Sequence, residues 1–241
     1  RPPWENPTPA YTESPGLPAL REAIAALYDG TPDSGVCVVA GAEEGMFLLA
    51  HGLLAPGDEI IVVTPAYQSL YEVPRSIGAT VREVPLRFER NWQLDPDEIA
   101  HAASGKTRLI VANFPHNPTG AHIAADVQRR LVEIAERHGA ILLSDEVYRG
   151  LEFDLPRLPC GADLSESVVS LGVMSKSFAL PGLRIGWLAT RNAGVLDRVQ
   201  RLKDYTTICS SAPSEILSLI ALRAHERVLE RSRGIVYANR K

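Results

Sequence analysis

The stretch "SKSFALPGLRIGW", residues 175–187, sets one lysine, Lys176, among small and apolar residues, with Arg184 eight positions on. The sequence holds four lysines against twenty-one arginines, so an amine at this place is not routine surface decoration. Apolar neighbours would desolvate it, and a desolvated lysine is the natural partner of an aldehyde, with which it forms a Schiff base. Asn117 in "NPTG", with Asp145 and Tyr148 in "SDEVY", could serve the same chemistry. Taken singly, each has an ordinary use. "NPTG" is a good turn, Asp145 a helix cap, Tyr148 a packed aromatic with its hydroxyl outward, and Arg184 a solvated or paired cation. Taken together with the small-residue turn "GAEEG" at 41–45, they suit a ligand that is both an aldehyde and a phosphate. Pyridoxal phosphate has that form, and a carboxylate such as Asp145 would keep its pyridine nitrogen protonated.

For these groups to meet, the chain must bring them to one place. Short β-branched runs at 36–40, 59–63, 80–86, 107–113, 140–145 and 168–172 alternate with stretches of helical period at 16–29, 43–54, 67–78 and 126–138. Strand and helix in series imply an α/β fold, three layers α/β/α around a mostly parallel sheet. Ligands in such sheets sit beyond the carboxyl ends of the strands. Asn117, Asp145, Tyr148 and Lys176 all follow strand ends, so one rim should collect them. "VCVVA" leads into "GAEEG" and a helix, whose first N–H groups make a plausible anion site. The Pro-rich start "RPPWENPTP" reads as an extended arm.

The bulk numbers exclude several other classes. At 241 residues and 45% hydrophobic content the chain can bury a substantial core, and a net charge of −4 without a basic run argues against a nucleic-acid partner. No apolar stretch approaches a membrane span. Cys37, Cys160 and Cys209 are far apart and odd in number, as expected for reduced residues in the cytoplasm. The six histidines form no zinc pattern, so no metal is expected, and His116 reads as a turn residue. No glycine-rich dinucleotide fingerprint follows the first strand.

With "NPTG", "SDEVY", "SK" and "GLRIGW" spaced as they are, the sequence resembles the class I/II aminotransferases, pyridoxal-phosphate-dependent enzymes of fold type I. The resemblance runs from "YTESPGLPALREAIA" to "DYTTICSSAPSE". It implies that Lys176 holds the cofactor and moves the proton, that Asp145 pairs with the ring nitrogen, and that Asn117 and Tyr148 bond the phenolic oxygen. It further implies that Arg184, Ser175 and the backbone N–H groups of Ala42 and Glu43 bind phosphate, and that Tyr67 stacks on the ring. Tyr11 matches a tyrosine that reaches the neighbouring subunit's phosphate, which implies a homodimer with a shared site. Amino acids and 2-oxo acids would be the substrates. Two positions depart from the family: Val173 stands where a hydroxyl is common, and Glu43 puts a carboxylate at the phosphate turn, where its side chain should point away. By the same resemblance, residues 1–15 are an N-terminal arm and 16–210 the large cofactor-binding domain. Residues 211–241 form a helix leading toward a small domain that lies beyond the sequence, with the arginine that grips the substrate carboxylate. Relatives of similar constellation act instead as lyases, decarboxylases or cyclising synthases. "ALPGLRIGW" and "DYTTICSSAPSE" are faintly similar to the capreomycidine synthase type, and a non-catalytic sensor domain is a further alternative.

Overall fold

The structure, a computed structural model, describes residues 10–153 and 155–240. Seven strands form one sheet: β1 (Val36–Val39), β2 (Glu59–Thr64), β3 (Thr80–Pro85), β4 (Thr107–Asn113), β5 (Ile141–Asp145), β6 (Val168–Val173) and β7 (Gly186–Ala189). Their order is β1-β7-β6-β5-β4-β2-β3. All pairs from β6 to β3 are parallel, while β7 runs antiparallel to both β1 and β6. The six expected strands are all present, and a seventh, β7, begins within "RIGW".

Nine helices surround the sheet among the described residues: α1 (Pro18–Ala25), α2 (Ala42–Leu53), α3 (Ser69–Ile77), α4 (Pro96–Ala102), α5 (Ala125–His138), α6 (Gly161–Leu164), α7 (Ala193–Lys203), α8 (Ala212–Arg223) and α9 (His225–Asn239). The two faces of each strand explain the layers. Ile60 and Val62 on β2 pack with Leu48 and Leu49 of α2, Leu70 of α3 and Val199 of α7. Ile61 and Val63, pointing the other way, pack with Ile99 of α4 and Leu131 and Ile134 of α5. A third cluster joins Val38 and Trp187 to Leu20 and Ile24 of α1, Leu219 of α8 and Leu229 of α9. Where one helix was expected over 211–241 there are two, broken at Ala224, where His225 Nδ1 approaches the Leu222 carbonyl at 3.1 Å. Among the described residues no helix is long and apolar enough to cross a membrane.

Register fixes the site. Asn113, Asp145 and Leu171 are paired neighbours at the carboxyl ends of β4, β5 and β6. Asn117 then lies four residues past Asn113, Tyr148 three past Asp145, and Lys176 three past Val173.

Candidate active site

At that rim lies a cavity of about 260 Å³, and nine of the ten residues singled out from the sequence line it: Ala42, Glu43, Tyr67, Asn117, Asp145, Tyr148, Ser175, Lys176 and Arg184. Tyr11 does not line it and is 84% exposed.

The floor is Asp145. It is 6% exposed, and its Oδ1 accepts the Val147 N–H at 3.3 Å. Burial, with the negative charges of Glu146 and Glu43 adding to it, pushes its carboxyl up to about 7. A cation arriving in the cavity would reverse that push. Asn113, not singled out from the sequence, braces the floor. Its amide donates to the Asp145 carbonyl at 3.0 Å, and its Oδ1 accepts the Asn117 N–H at 3.0 Å. One side chain thus ties the end of β4 to β5 and to the turn that follows β4, and its place as the last residue of a strand was the only signal. His116 sits inside the turn, with Nδ1 2.7 Å from Thr119 Oγ1, and does not line the cavity.

Lys176 Nζ lies 5.8 Å from the centroid of the Tyr148 ring. The desolvation expected for it does not hold in this structure: Lys176 is exposed, while Met174, Ser177 and Phe178 are buried around it. The chain leaves β6 in a turn that sends the apolar side chains to the core and the amine into the cavity. Tyr67, 57% exposed just before α3, lines the wall, and Val173 closes the cavity behind Ser175.

The far end is built for an anion. Helix α2 has Gly41 as N-cap and no side-chain cap, so its first N–H groups face the cavity free of side-chain partners. Arg184 lies against the same turn, with Nη1 donating to Ser175 Oγ at 3.4 Å and to the Pro181 carbonyl at 3.1 Å. Arg184 has φ 52, a left-handed conformation that costs a side-chain-bearing residue roughly 1–3 kcal/mol. A Cβ on Gly41 would come 2.5 Å from Arg184 Nη2, and one on Gly186 2.8 Å from the Gly41 carbonyl carbon. Two glycines therefore let the turn, the guanidinium and β7 crowd together, as a phosphate cradle requires. The aldehyde-seeking amine, the floor carboxylate and this cradle fit pyridoxal phosphate in chemistry and in order.

Two acidic side chains at the start of α2 behave differently. Glu44 is occupied: Oε2 accepts the Ala40 N–H, and Oε1 accepts the hydroxyls of Thr206 at 2.9 Å and Thr207 at 2.7 Å. It clasps the phosphate turn to the 204–211 loop across more than 160 residues, which no local spacing could reveal. Glu43, whose side chain was expected to point away, is an exposed residue at the edge of the cavity. It lines the cavity, and its charge is felt at Asp145.

A parallel-centred α/β sheet carrying a lysine, an aspartate and a phosphate cradle at its strand ends defines a fold-type I pyridoxal-phosphate site. The sequence profile of the family "Aminotransferase class I and II" matches residues 6–241, and the chain belongs to that family, whose members depend on pyridoxal phosphate. It is 36% identical over 203 residues to capreomycidine synthase of Streptomyces vinaceus, covering 84% of this chain and 52% of that protein. It is 33% identical over 222 residues to an aspartate aminotransferase of Pyrococcus horikoshii, covering 90% and 56%. A crystal structure of a pyridoxal-phosphate-dependent aminotransferase from Streptococcus suis superposes with a TM-score of 0.92 at 33% identity, over 98% of this chain and 62% of that one. The chain thus spans about half the length of the curated relatives it matches.

Proposed function

We propose that this chain is the cofactor-binding part of a pyridoxal-phosphate-dependent aminotransferase, which moves an amino group between an amino acid and a 2-oxo acid. The observation that carries the reading is the meeting of Lys176, Asp145 and Arg184 in one cavity. When bound, the cofactor supplies a ring that accepts the electron pair left when the substrate α-carbon loses its proton. Lys176 takes that proton on Nζ and delivers one to the carbon that carried the aldehyde. Asp145 holds a proton on the ring nitrogen, and its burial strengthens the attraction because little water screens it. Asn117 and Tyr148 hydrogen-bond the phenolic oxygen, and Tyr67 covers the ring. Arg184, Ser175 and the N–H groups of Ala42 and Glu43 hold the phosphate. Residues 16–210 supply all of these groups but Tyr11.

Tyr11 is read as a contribution to the cavity of a second subunit in a homodimer. Its exposure supports this, as does that of Tyr205 and Ile208 on the clasped 204–211 loop. The unpaired Cys37, Cys160 and Cys209 support a cytoplasmic compartment.

The test is an absorbance spectrum of the protein with pyridoxal phosphate, before and after a panel of amino acids. Conversion of the visible lysine-bound band to the amine form, reversed by a 2-oxo acid, is expected. Lys176→Ala should lower turnover about 10²–10⁴-fold and abolish covalent labelling on borohydride reduction. A label that persists in that variant places the link on another amine and refutes the assignment. The relation to capreomycidine synthase favours a second reading, a cyclising synthase on the same cofactor. The band would then shift without the amine form accumulating.

A further inference from the structure

We propose that His116 is a positioning residue for the cofactor ring: it ties the turn that carries Asn117 to the loop that carries Tyr67, so that both side chains reach the ring together. The inference rests on the pyridoxal-phosphate reading above and adds a residue that does not itself line the cavity.

The sheet brings the two segments side by side. Val62 of β2 is paired with Val111 of β4, so the chain leaving β2 at Pro65 and the chain leaving β4 at Phe114 start from neighbouring strand ends. His116 is 4% exposed, with its ring centroid 5.5 Å from that of Phe114. Its main chain closes the turn. The N–H donates to the Ala121 carbonyl at 2.9 Å, and the carbonyl accepts the Gly120 N–H at 2.9 Å. Those bonds need no imidazole, and an apolar ring would fill the same space without burying two nitrogens.

The nitrogens face opposite walls. Nδ1 is 2.7 Å from Thr119 Oγ1, which also accepts the Ala121 N–H at 3.2 Å. With that oxygen already accepting, the threonine hydroxyl donates its one proton to Nδ1, and the neutral ring then carries its own proton on Nε2. Burial keeps the imidazole neutral by pushing its pKa down, and no charged side chain among the described residues opposes it. Nε2 is buried and closes no hydrogen bond within ordinary geometry. The main-chain group that acts on the ring belongs to Pro65, and since proline has no N–H it is the carbonyl, an acceptor suited to Nε2–H. A buried N–H left open beside an acceptor costs free energy that shortening the contact recovers. Shortening it draws Pro65, two residues before Tyr67, toward Asn117, one residue after His116. Tyr67 and Asn117 both line the cavity, one read as covering the ring and the other as bonding its phenolic oxygen.

The experiment compares the native protein with His116→Phe, which keeps a ring against Phe114 and removes both nitrogens. His116→Gln and His116→Asn place an amide near Nε2 and near Nδ1 respectively. Three readouts are taken: the pH titration of the visible lysine-bound band, the affinities for pyridoxal phosphate, pyridoxal and inorganic phosphate, and hydrogen exchange. The exchange is followed at the N–H groups of Asn117 and Leu70, which are bonded to Asn113 Oδ1 and to the Tyr67 carbonyl. When Asn117 no longer reaches the phenolic oxygen, the anion there is less stabilised and the proton shared with the lysine-bound nitrogen is held more tightly. The midpoint of the band should therefore rise by about one pH unit in His116→Phe. Affinity for pyridoxal phosphate and for pyridoxal should fall together by about 2–10-fold, while inorganic phosphate, held at the Arg184 end, keeps its own. His116→Gln should restore most of the band position and His116→Asn little. His116→Phe combined with Asn117→Ala should shift the band no further than Asn117→Ala alone, because His116 acts through Asn117. Additive shifts, a band unmoved in His116→Phe, or a glutamine no better than asparagine overturn the inference and leave the pyridoxal-phosphate reading standing. The glutamine and asparagine variants decide alone if His116→Phe does not fold. Absence of a lysine-bound band in the native protein overturns that reading instead, and hydrogen exchange then decides for His116. Unchanged protection at Asn117 and Leu70 in the variants refutes the tie, and faster exchange at both, with α7 unaffected, upholds it.

Discussion

Gly41 is the position at which the phosphate cradle can be broken with one methyl group. Its backbone, at φ 84 and ψ 172, lies in a region open almost only to glycine, so alanine costs roughly 1–3 kcal/mol in strain alone. The added Cβ would stand 2.5 Å from Arg184 Nη2 and 3.2 Å from its Cζ. Ordinary contact begins near 3.4 Å, so the guanidinium must retreat by about 1 Å, enough to lose a hydrogen bond to phosphate. A charge-assisted hydrogen bond contributes about 1.5–3 kcal/mol, which predicts a 10–100-fold weaker affinity for pyridoxal phosphate. The assay is an absorbance titration of Gly41→Ala with pyridoxal phosphate and, separately, with pyridoxal, alongside urea unfolding of the free protein. The loss should appear for the phosphorylated ligand and not for pyridoxal. Gly182→Ala is the control, three residues from Gly186's neighbour Ile185 and with nothing within 4 Å of the added methyl. Equal weakening for both ligands would mean that the substitution disturbs the whole cavity. An unchanged affinity for pyridoxal phosphate would show that neither Arg184 nor the α2 turn holds the phosphate.

Two further substitutions read other parts of the rim. Asp145 has its carboxyl raised from 3.8 to about 7 in the folded protein, so the free protein should lose stability as pH rises from about 4 to 7, by a few kcal/mol. Asp145→Asn should flatten that decline in urea unfolding and still remove most turnover; a variant that loses stability in parallel with the native protein would refute the burial argument. Glu44→Gln leaves one acceptor oxygen where three donors converge, and should cost about 1–3 kcal/mol. Hydrogen exchange should quicken at Thr206 and Thr207, and unchanged protection there would show that the clasp is not what orders the loop.

How far the sequence reported these features depends on how local each one is. The strands were legible because most are buried on both faces and read as unbroken β-branched runs; all six residues of β2 are buried. β3, on the sheet edge, is mostly exposed, and only its β-branched Thr80, Val81 and Val84 marked it as a strand. The reversed direction of β7 was not legible, since four residues carry no sign of which neighbour they join. Helix α4 has a good cap in Asp95 but only seven residues, too few for a period to declare itself. At the site, the residues that follow strand ends meet in one cavity because the parallel sheet aligns those ends. Orientation was harder. Lys176 was expected to be desolvated by its apolar neighbours and is exposed, because the turn after β6 sets side-chain direction by backbone geometry that composition does not encode. Glu44 and Asn113 were missed for a different reason, since their importance lies in partners remote in the chain or on the main chain itself.

The features that make the site share a sign. Asp145 is a carboxylate whose burial raises its pKa, and Arg184 is a guanidinium set against the start of α2, whose first N–H groups have no side-chain cap. Each leaves a charge or donor uncompensated in the free protein, and each has a group on the proposed ligand that would compensate it: a protonated ring nitrogen and a phosphate. A rim assembled this way couples ligand binding to stability, because a ligand that binds only the folded chain raises its unfolding free energy by RT ln(1 + [L]/Kd). Inorganic phosphate, which can satisfy only the Arg184 end, should therefore shift the melting temperature less than pyridoxal phosphate at equal concentration, and Gly41→Ala should abolish the smaller shift first. If phosphate and pyridoxal phosphate stabilise equally, Asp145 and Lys176 add nothing to holding the cofactor, and the cavity is an anion site rather than an enzyme's centre.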